Sequence, residues 1–335
     1  MKRNVFAGVA ALALLAAILA GWAISSDYKG FDEETLITIP RGTGASAIAR
    51  QLADARVVRF PWQFQLARLL HPRAKLQAGE YRFSSAASAN EVLGRIARGD
   101  IFYFEVTVPE GSNMFDIAHL LEQRKIFTAD AFLEAASDAS LVHELSPNAK
   151  TLEGYLFPST YRLTHSTTAP QLTRMMIAEF RREWTHLTAE HKSADANATV
   201  TLASLVEKET GTPEERPKIA SVFANRLAKN IRLQCDPTTI YAALLDNRYH
   251  GKIHKSDLAN TNPYNTYQHE GLPPGPIANP GRASLAAALN PATTEFLYFV
   301  AKPEGGSHQF SATLAAHTLA VAQYRSAASH SAGKK

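Results

Sequence analysis

An uncharged apolar run near the N-terminus most constrains how this chain of 335 residues can fold. Residues 5–25 carry no charged side chain and are rich in Ala, Leu and Ile. A helix rises about 1.5 Å per residue, so this run is long enough to cross a bilayer core of about 30 Å. The sequence therefore predicts a transmembrane anchor, with the rest of the chain folded outside the bilayer.

The residues before the run predict its orientation. Lys2 and Arg3 precede it, and positively charged residues favour the cytoplasmic side of a membrane. Residues 1–4 are therefore expected in the cytoplasm and the body of the chain on the other side. A cleaved signal peptide, with Ala23-Ile24-Ser25 as the cleavage site, is the competing interpretation. The apolar run is longer than a usual signal-peptide core, which favours an uncleaved anchor.

An internal repeat organises the chain after the anchor. The segment Ile37-Thr-Ile-Pro-Arg-Gly42 recurs as Val106-Thr-Val-Pro-Glu-Gly111, an offset of 69 residues (106 − 37). Apolar residues at helical spacing follow each copy, so each predicts a strand, a turn and an amphipathic helix. The second copy extends over residues 106–127.

The pattern of elements predicts an α+β protein with two domains after the anchor. A small α+β domain is expected over residues 30–104, and a larger mixed α+β domain over residues 105–330. The strand–turn–helix units of the small domain resemble LysM-like modules, which bind glycans containing N-acetylglucosamine. A spacer that holds the larger domain above the membrane is an equally open interpretation.

One helix of the larger domain places a carboxylic acid on its apolar stripe. Leu202, Leu205, Val206 and Glu209 follow the three- and four-residue spacing of a single helical face, whereas Glu207 points elsewhere. Apolar surroundings disfavour a charged carboxylate and raise its pKa, which is the condition for a general acid at neutral pH. A partly buried carboxylate paired with Lys or Arg is the structural alternative.

A rigid loop downstream offers groups suited to a sugar. Between residues 271 and 281 lie four prolines and three glycines, which stiffen the backbone and allow close approach to a ligand. Just before it, Tyr264, Asn265, Thr266 and Tyr267 present ring faces, donors and acceptors. A purely structural loop is the alternative. Two further candidates are Tyr155, in the aromatic stretch 152–163, and His308, on a predicted strand pair after the loop.

Several other function classes find no support in the sequence. The net charge of +4 is small and scattered, which argues against nucleic acid. The zinc-binding, serine-hydrolase and phosphate-loop patterns are absent, so neither a metal nor a cofactor is predicted. The single cysteine, Cys235, excludes an intramolecular disulfide and is expected to serve in packing.

Six ordered motifs resemble those of the endolytic murein transglycosylases, the YceG-like proteins. The likeness runs from the anchor to the last predicted helix, and the motifs are Glu153-Gly-Tyr-Leu-Phe-Pro-Ser-Thr-Tyr161, Val206-Glu-Lys-Glu-Thr210, Leu233-Gln-Cys-Asp-Pro-Thr238, Tyr264-Asn-Thr-Tyr267, Gly271-Leu-Pro-Pro-Gly275 and His308-Gln-Phe310. In this family the catalytic Glu precedes Thr, which matches Glu209. Cys235 departs from the small polar residue expected at its position.

The resemblance implies a single-pass inner-membrane protein that cuts nascent peptidoglycan strands in the periplasm, with peptidoglycan synthases as expected partners. Glu209 would act alone, first as acid and then as base, to leave 1,6-anhydromuramic ends and terminate glycan elongation. The residues implied to bind substrate are Gln234, Tyr264, Asn265, Thr266, Tyr267, Pro274, Gly275, His308, Phe310 and Tyr155. Two alternatives stay open: a hydrolytic muramidase with a second acid such as Asp236, and a membrane-anchored glycan-binding scaffold without activity.

Overall fold

The computed structural model describes residues 2–189, 194–303 and 305–332, and within them the protein is a mixed α+β chain with an apolar N-terminal helix, as predicted. Met1, part of the predicted cytoplasmic segment, lies outside the described residues. The chain divides into two compact units. The first comprises Met1–Glu105 with Arg162–Ser166, and the second comprises Val106–Tyr161 with Thr167–Lys335.

The first unit packs helices around a two-stranded sheet. Its elements are α1 (Lys2–Ser25), β1 (Thr35–Ile39), α2 (Ala45–Asp54), α3 (Pro61–Leu70), β2 (Gly79–Phe83) and α4 (Ala89–Arg98). Strands β1 and β2 pair antiparallel, with Ile37 opposite Tyr81. Tyr81, Phe83 and Phe64 are fully buried and form the centre of the core with aliphatic residues of α2 and α4.

Helix α1 combines a long exposed apolar stretch with a buried end. Phe6–Ser25 has a mean hydropathy of 2.3 and is long and apolar enough to span a membrane. Its last turn belongs to the first unit, because Ile24 is buried in that core and the side chain of Gln63 donates to the carbonyl of Ala23 at 2.7 Å. The end of the helix is therefore held by the folded unit that follows it.

The second unit is mostly helical. Its helices are α5 (Met114–Gln123), α6 (Ala129–Ala136), α7 (Ala169–Leu187), α8 (Ala196–Glu209), α9 (Arg216–Ala228), α10 (Asp236–Leu245), α11 (Lys255–Leu258), α12 (Arg282–Leu289) and α13 (Leu314–Ala332). Strand β3 (Phe104–Thr107) pairs with β4 (Thr160–Leu163), and the chain passes from one unit to the other within these strands. Strands β5 (Tyr298–Ala301) and β6 (His308–Ser311) form an antiparallel pair.

The two copies of the sequence repeat have the same local structure. Helices α2 and α5 each span ten residues, and each follows a strand and a glycine with positive φ, +83° at Gly42 and +74° at Gly111. The inward-facing residues of α5, Ile117, Ala118 and Leu121, correspond to those of α2 at the 69-residue offset. Glycine suits both turns because a side chain disfavours the left-handed region.

Helix α8 is enclosed on every side over most of its length. All seven residues from Val200 to Val206 are buried, and the helix packs against α9, α10 and α12. Thr201 and Ser204 therefore lie in the interior although they are polar. The hydroxyl of Ser204 donates to the carbonyl of Thr201 at 2.7 Å and accepts from the backbone N–H of Ile277 at 3.1 Å. This second bond fixes the proline-rich loop against the helix.

Candidate active site

Glu209 lies at the C-terminal end of α8, and its side chain borders a cavity. It is the last helical residue, because Thr210 adopts an extended conformation with φ −145° and ψ 137°. The side chain is half-buried and borders a cavity of about 280 Å³. The other residues around this Glu209 cavity are Phe223, Arg226, Leu233, Gln234, Cys235, Asp236, Tyr267, Phe299 and His317.

The carboxyl of Glu209 has one close side-chain partner, the thiol of Cys235, whose Sγ donates to Oε1 at 3.0 Å. Burial raises the pKa of Glu209, and the charge of Asp236 adds to this effect, while Cys235, His308 and Arg226 oppose it. Burial and the neighbouring carboxyl also raise the pKa of the Cys235 thiol well above its usual value. The thiol therefore stays protonated and serves as a donor.

The backbone around Cys235 is held by the loop that contains Thr266. The N–H of Cys235 donates to the Thr266 hydroxyl at 3.0 Å, and the N–H of Gln234 donates to the Thr266 carbonyl at 3.2 Å. Gln234 has φ +50°, a left-handed conformation that costs a non-glycine residue roughly 1–2 kcal/mol. Its side chain is exposed at the rim of the Glu209 cavity.

Helix α10 begins beside Glu209. Cys235 holds its N-cap position and Asp236 is the first helical residue. Asp236 borders the Glu209 cavity, and its Oδ1 accepts from the Tyr267 hydroxyl at 2.5 Å. Negative charge is favoured at a helix N-terminus, which accounts for an aspartate there.

The prediction that Glu207 points away from the interior is wrong. The side chain of Glu207 is only 6% exposed and pairs with Arg216, itself 9% exposed, at 3.3 Å. Its Oε2 also accepts from the backbone N–H of Gly281 at 2.9 Å. The helical-wheel argument assumed that one face of α8 meets solvent, whereas the helix is enclosed by other elements. Glu207 thus has the ion pair that the structural alternative assigned to Glu209.

Asn265 and Thr266 lie beneath the surface and are engaged within the protein. The amide nitrogen of Asn265 donates to the carbonyls of Asp257, Leu258 and Asn260, and its oxygen accepts from Thr239 and the Tyr267 backbone. The hydroxyl of Thr266 contacts Cys235 and Thr238. Both residues were expected to contact a sugar directly, but the structure gives them the role of supporting the loop.

His308 and Phe310 lie on β6, as the sequence suggested, but neither borders the Glu209 cavity. The backbone N–H of His308 donates to one oxygen of Glu215, and its Nδ1 lies 2.7 Å from the other. The ring of Phe310 packs near Phe296, with 5.5 Å between centroids. His308 influences Glu209 through its charge, while Phe310 packs beside the site.

The remaining predicted residues surround a second cavity. Tyr155, Tyr264, Pro274 and Gly275 border this cavity of about 360 Å³ together with Glu153, after which we call it the Glu153 cavity. Three donors hold the buried carboxyl of Glu153: the backbone N–H of Met114, the hydroxyl of Tyr241 and the amide of Asn279. Burial nevertheless raises the pKa of Glu153 to about 7. The predicted site residues that border a cavity are thus divided between the Glu209 cavity and the Glu153 cavity.

Comparison with known proteins identifies the family. The sequence profile of the YceG-like family matches residues 37–323. The chain belongs to the YceG-like family. It is 33% identical over 306 residues to an endolytic murein transglycosylase of Bacillus subtilis, a match covering 86% of this chain and 84% of that protein. An endolytic murein transglycosylase of Streptococcus pneumoniae is 29% identical, and the chain spans 58% of its length.

A solved structure in the same family agrees with this assignment. The crystal structure of a putative YceG-like protein from Listeria monocytogenes aligns with a TM-score of 0.56 and 31% identity. The alignment covers 86% of this chain and 99% of that one.

Within this YceG-like chain, sequence reasoning missed several residues of the Glu209 cavity: Phe223, Arg226, Phe299 and His317. A signal for Arg226 was available, because it follows Ile219, Val222 and Phe223 at helical spacing on the apolar face of α9. The guanidinium is buried and donates to the carbonyls of Leu297, Arg232 and Leu233. The wall of the cavity therefore contains a cation, which partly opposes the rise in the pKa of Glu209 that burial causes.

His317 of the YceG-like chain borders the Glu209 cavity, which its position in the sequence did not indicate. It belongs to α13, and its ring stacks on Tyr298 with 5.1 Å between centroids. Burial lowers the pKa of His317, so the neutral ring is favoured in this wall of the cavity. Among the described residues, no group of three or more His, Cys, Asp or Glu side chains is arranged to hold a metal ion.

Proposed function

We propose that the protein is an endolytic lytic transglycosylase that cleaves between N-acetylmuramic acid and N-acetylglucosamine in nascent peptidoglycan strands. One observation carries the proposal: Glu209 is a half-buried carboxyl with a raised pKa that borders an open cavity. A carboxylic acid with a raised pKa holds its proton more readily and is suited to protonate a leaving glycosidic oxygen. The names of the relatives give the substrate class.

Glu209 acts in both halves of the reaction. It first gives its proton to the glycosidic oxygen as the bond from that oxygen to muramic C1 breaks. The resulting carboxylate then takes the proton of the muramic C6 hydroxyl, whose oxygen bonds to C1 and closes a 1,6-anhydro ring. No water is consumed, so no second carboxylate is needed to activate one, unlike in ordinary glycosidases. Such cleavage would end the elongation of the strand.

The thiol of Cys235 determines which oxygen of Glu209 carries the acidic proton. Because Sγ–H donates to Oε1, that oxygen serves as an acceptor and the proton of the neutral acid resides on Oε2. Gln234 and Tyr267 border the cavity and orient the sugar. Arg226 is close enough to influence the charge of the carboxylate formed after the first step.

The same proposal places the protein in the inner membrane as a single-pass protein. The N-terminus lies in the cytoplasm, and the two units work in the periplasm beside peptidoglycan synthases. The burial of Ile24 supports an uncleaved anchor, because cleavage at residues 23–25 would cut through a packed helix end. The LysM-like domain over residues 30–104 then binds glycan or spaces the catalytic domain over residues 105–330 from the membrane.

A hydrolytic muramidase is the second candidate, and one observation favours it. Asp236 borders the same cavity as Glu209 and is exposed, so a carboxylate that activates water is at hand. The third candidate, a glycan-binding scaffold without activity, would leave the raised pKa of Glu209 without a use. The reaction products distinguish all three.

The deciding experiment is mass analysis of peptidoglycan digested by the full-length protein in detergent. We expect new ends in 1,6-anhydromuramic acid, which weigh one water less than reducing ends. The Glu209→Gln variant should yield neither product. Reducing ends as the main product would establish the muramidase, and an undigested glycan with retained binding would establish the scaffold.

A further inference from the structure

The Glu153 cavity has the size and lining of a ligand site although it does not contain Glu209. Its volume of about 360 Å³ falls within the range of roughly 300–1,000 Å³ typical of small-molecule pockets. The rings of Tyr241 and Tyr264 pack 5.1 Å apart in its wall, and Pro263 and Pro274 border it. Such a lining suits a ligand with flat apolar faces and polar edges.

The polar groups of this cavity suit hydroxyl and amide partners. Tyr264 is half-buried, so part of its ring remains open to a ligand, and burial raises the pKa of its hydroxyl to about 12, which keeps it neutral. The amide of Asn197 lies half-buried in the first turn of α8. The carboxyl of Glu153 is largely occupied by its three donors, and Lys150 is exposed at the rim. A ligand rich in hydroxyl and amide groups fits these neighbours.

Three elements connect the Glu153 cavity with the Glu209 cavity. Helix α8 has Asn197 in one and Glu209 in the other, twelve residues apart (209 − 197), a rise of roughly 18 Å. Helix α10 contributes Asp236 to the Glu209 cavity and Tyr241 to the Glu153 cavity. The short loop from Tyr264 to Tyr267 has one end in each. The two cavities are therefore held at a fixed separation by rigid helices.

We propose that the Glu153 cavity is a second carbohydrate subsite, which binds sugar rings of the same glycan strand several rings away from the bond that Glu209 cleaves. This inference rests on the proposed function. A strand that occupies both cavities must extend well beyond the cleaved bond on one side. Binding energy from the remote rings then favours cuts within a strand over cuts at the corresponding end.

The test measures the affinity of glycan oligomers of increasing length, freed of stem peptides, for the full-length chain carrying Glu209→Gln. We expect affinity to rise with length once an oligomer reaches the Glu153 cavity. Adding Tyr264→Ala should weaken the long oligomers about tenfold, equivalent to about 1.4 kcal/mol, and leave the short ones unchanged. Tyr264→Phe should weaken the long oligomers less than Tyr264→Ala, because it keeps the ring and loses only the hydroxyl.

Asn197→Ala provides a second variant that leaves the 264–267 loop intact. It should reduce the affinity of the long oligomers alone. If Tyr264→Ala does not fold, Asn197→Ala by itself tests the proposed subsite. Unchanged affinity of the long oligomers in both variants would overturn the proposal. A length effect seen only with oligomers that retain stem peptides would also overturn it, in favour of a peptide site. Digestion by the wild-type chain is measured separately, so a failure to cleave contradicts the proposed function and leaves the binding result standing.

Discussion

Two carboxyls near the end of α8 have different surroundings although only one residue separates them. Glu209 borders a cavity and has a thiol as its partner, whereas Glu207 is enclosed with Arg216. Burial without a fully compensating charge raises the pKa of Glu209. The ion pair with Arg216 gives Glu207 a structural role. The Glu209 carboxyl is thus accessible to a ligand in the cavity, whereas the Glu207 carboxyl holds parts of the fold together.

The first prediction separates these two roles. Glu209→Gln keeps the shape of the side chain but removes its transferable proton, so turnover should fall by about 10²–10⁴-fold. Glu207→Gln removes the buried ion pair with Arg216, which should lower the free energy of unfolding by about 3–5 kcal/mol. Turnover is measured well below both unfolding midpoints. An inactive Glu207 variant with normal stability, beside an active Glu209 variant, would contradict the assignment.

The second prediction concerns Cys235 and the pH dependence of turnover. Glu209 must be protonated to act as an acid, so activity is lost as the pH rises through its pKa. A serine hydroxyl donates more strongly than a thiol and stabilises the carboxylate, so Cys235→Ser should move the alkaline limb to lower pH. Cys235→Ala removes the donor and should move that limb to higher pH. The measurement is kcat/KM against pH.

A purely packing role of Cys235 predicts a different result. Both substitutions would then change stability or the maximal rate while leaving the alkaline limb where it is in the wild-type chain. The opposite directions expected for serine and alanine make the two roles distinguishable.

Glu153 links separate elements of the second unit. It accepts from the first residue of α5, from Tyr241 on α10 and from Asn279 in the proline-rich loop. The adjacent Gly154 has φ +87°, and a Cβ there would lie 2.3 Å from Pro276, so only glycine permits this loop to approach. One buried carboxyl and one glycine therefore hold a helix N-terminus, a second helix and the loop together.

The third prediction follows from the raised pKa of Glu153, about 7 when folded against about 4.3 in an unfolded chain. The folded state holds this proton more tightly. The contribution to stability is therefore fully present below about pH 4 and is lost as the pH rises to 7. Relative to wild type, Glu153→Gln should gain on the order of 3 kcal/mol of unfolding free energy across this range.

Denaturant unfolding of the full-length chain in detergent, at pH values from acid to neutral, checks this. The comparison uses the difference between variant and wild type, because other groups titrate in both. A difference that does not change with pH would show that Glu153 has an ordinary pKa.

At the scale of the whole molecule, the apolar N-terminal helix is the feature with the most direct test. The stretch Phe6–Ser25 is long and apolar enough to span a membrane, and its end is packed into the first unit. The fourth prediction is that the full chain stays in the membrane fraction after alkaline extraction and that a C-terminal reporter is active only outside the cytoplasm. A mature protein beginning near Ser26 would show cleavage instead.

The sequence was informative where short-range spacing decides the outcome. The repeat predicted the strand, turn and helix of both copies because the buried residues recur at helical spacing within each one. The same reasoning singled out Glu209, which borders a cavity, and its catalytic role stays a prediction. Glu207 was misplaced because its surroundings come from α9 and the loop near Gly281, which lie far along the chain.

Tertiary packing also determines which of the candidate sugar-binding residues border a cavity. Tyr264 and Tyr267 are only three residues apart, yet they border different cavities, and Asn265 between them is buried. A local reading of this loop treats the four residues as one surface. The packing of α10 and α11 against the loop determines which side chains face a cavity and which support the backbone.

Because Cys235 is the only cysteine in the chain, its burial beside Glu209 has a practical consequence. The sulfur is buried in the wall of the Glu209 cavity, so a thiol reagent enters through that cavity and reaches the sulfur as the end of α8 or the start of α10 opens. The labelling rate of the unmodified chain therefore reports the free energy of that local opening. A glycan that occupies the Glu209 cavity would slow the labelling. The labelling rate of the native cysteine therefore reports whether that cavity is occupied, without any engineered probe.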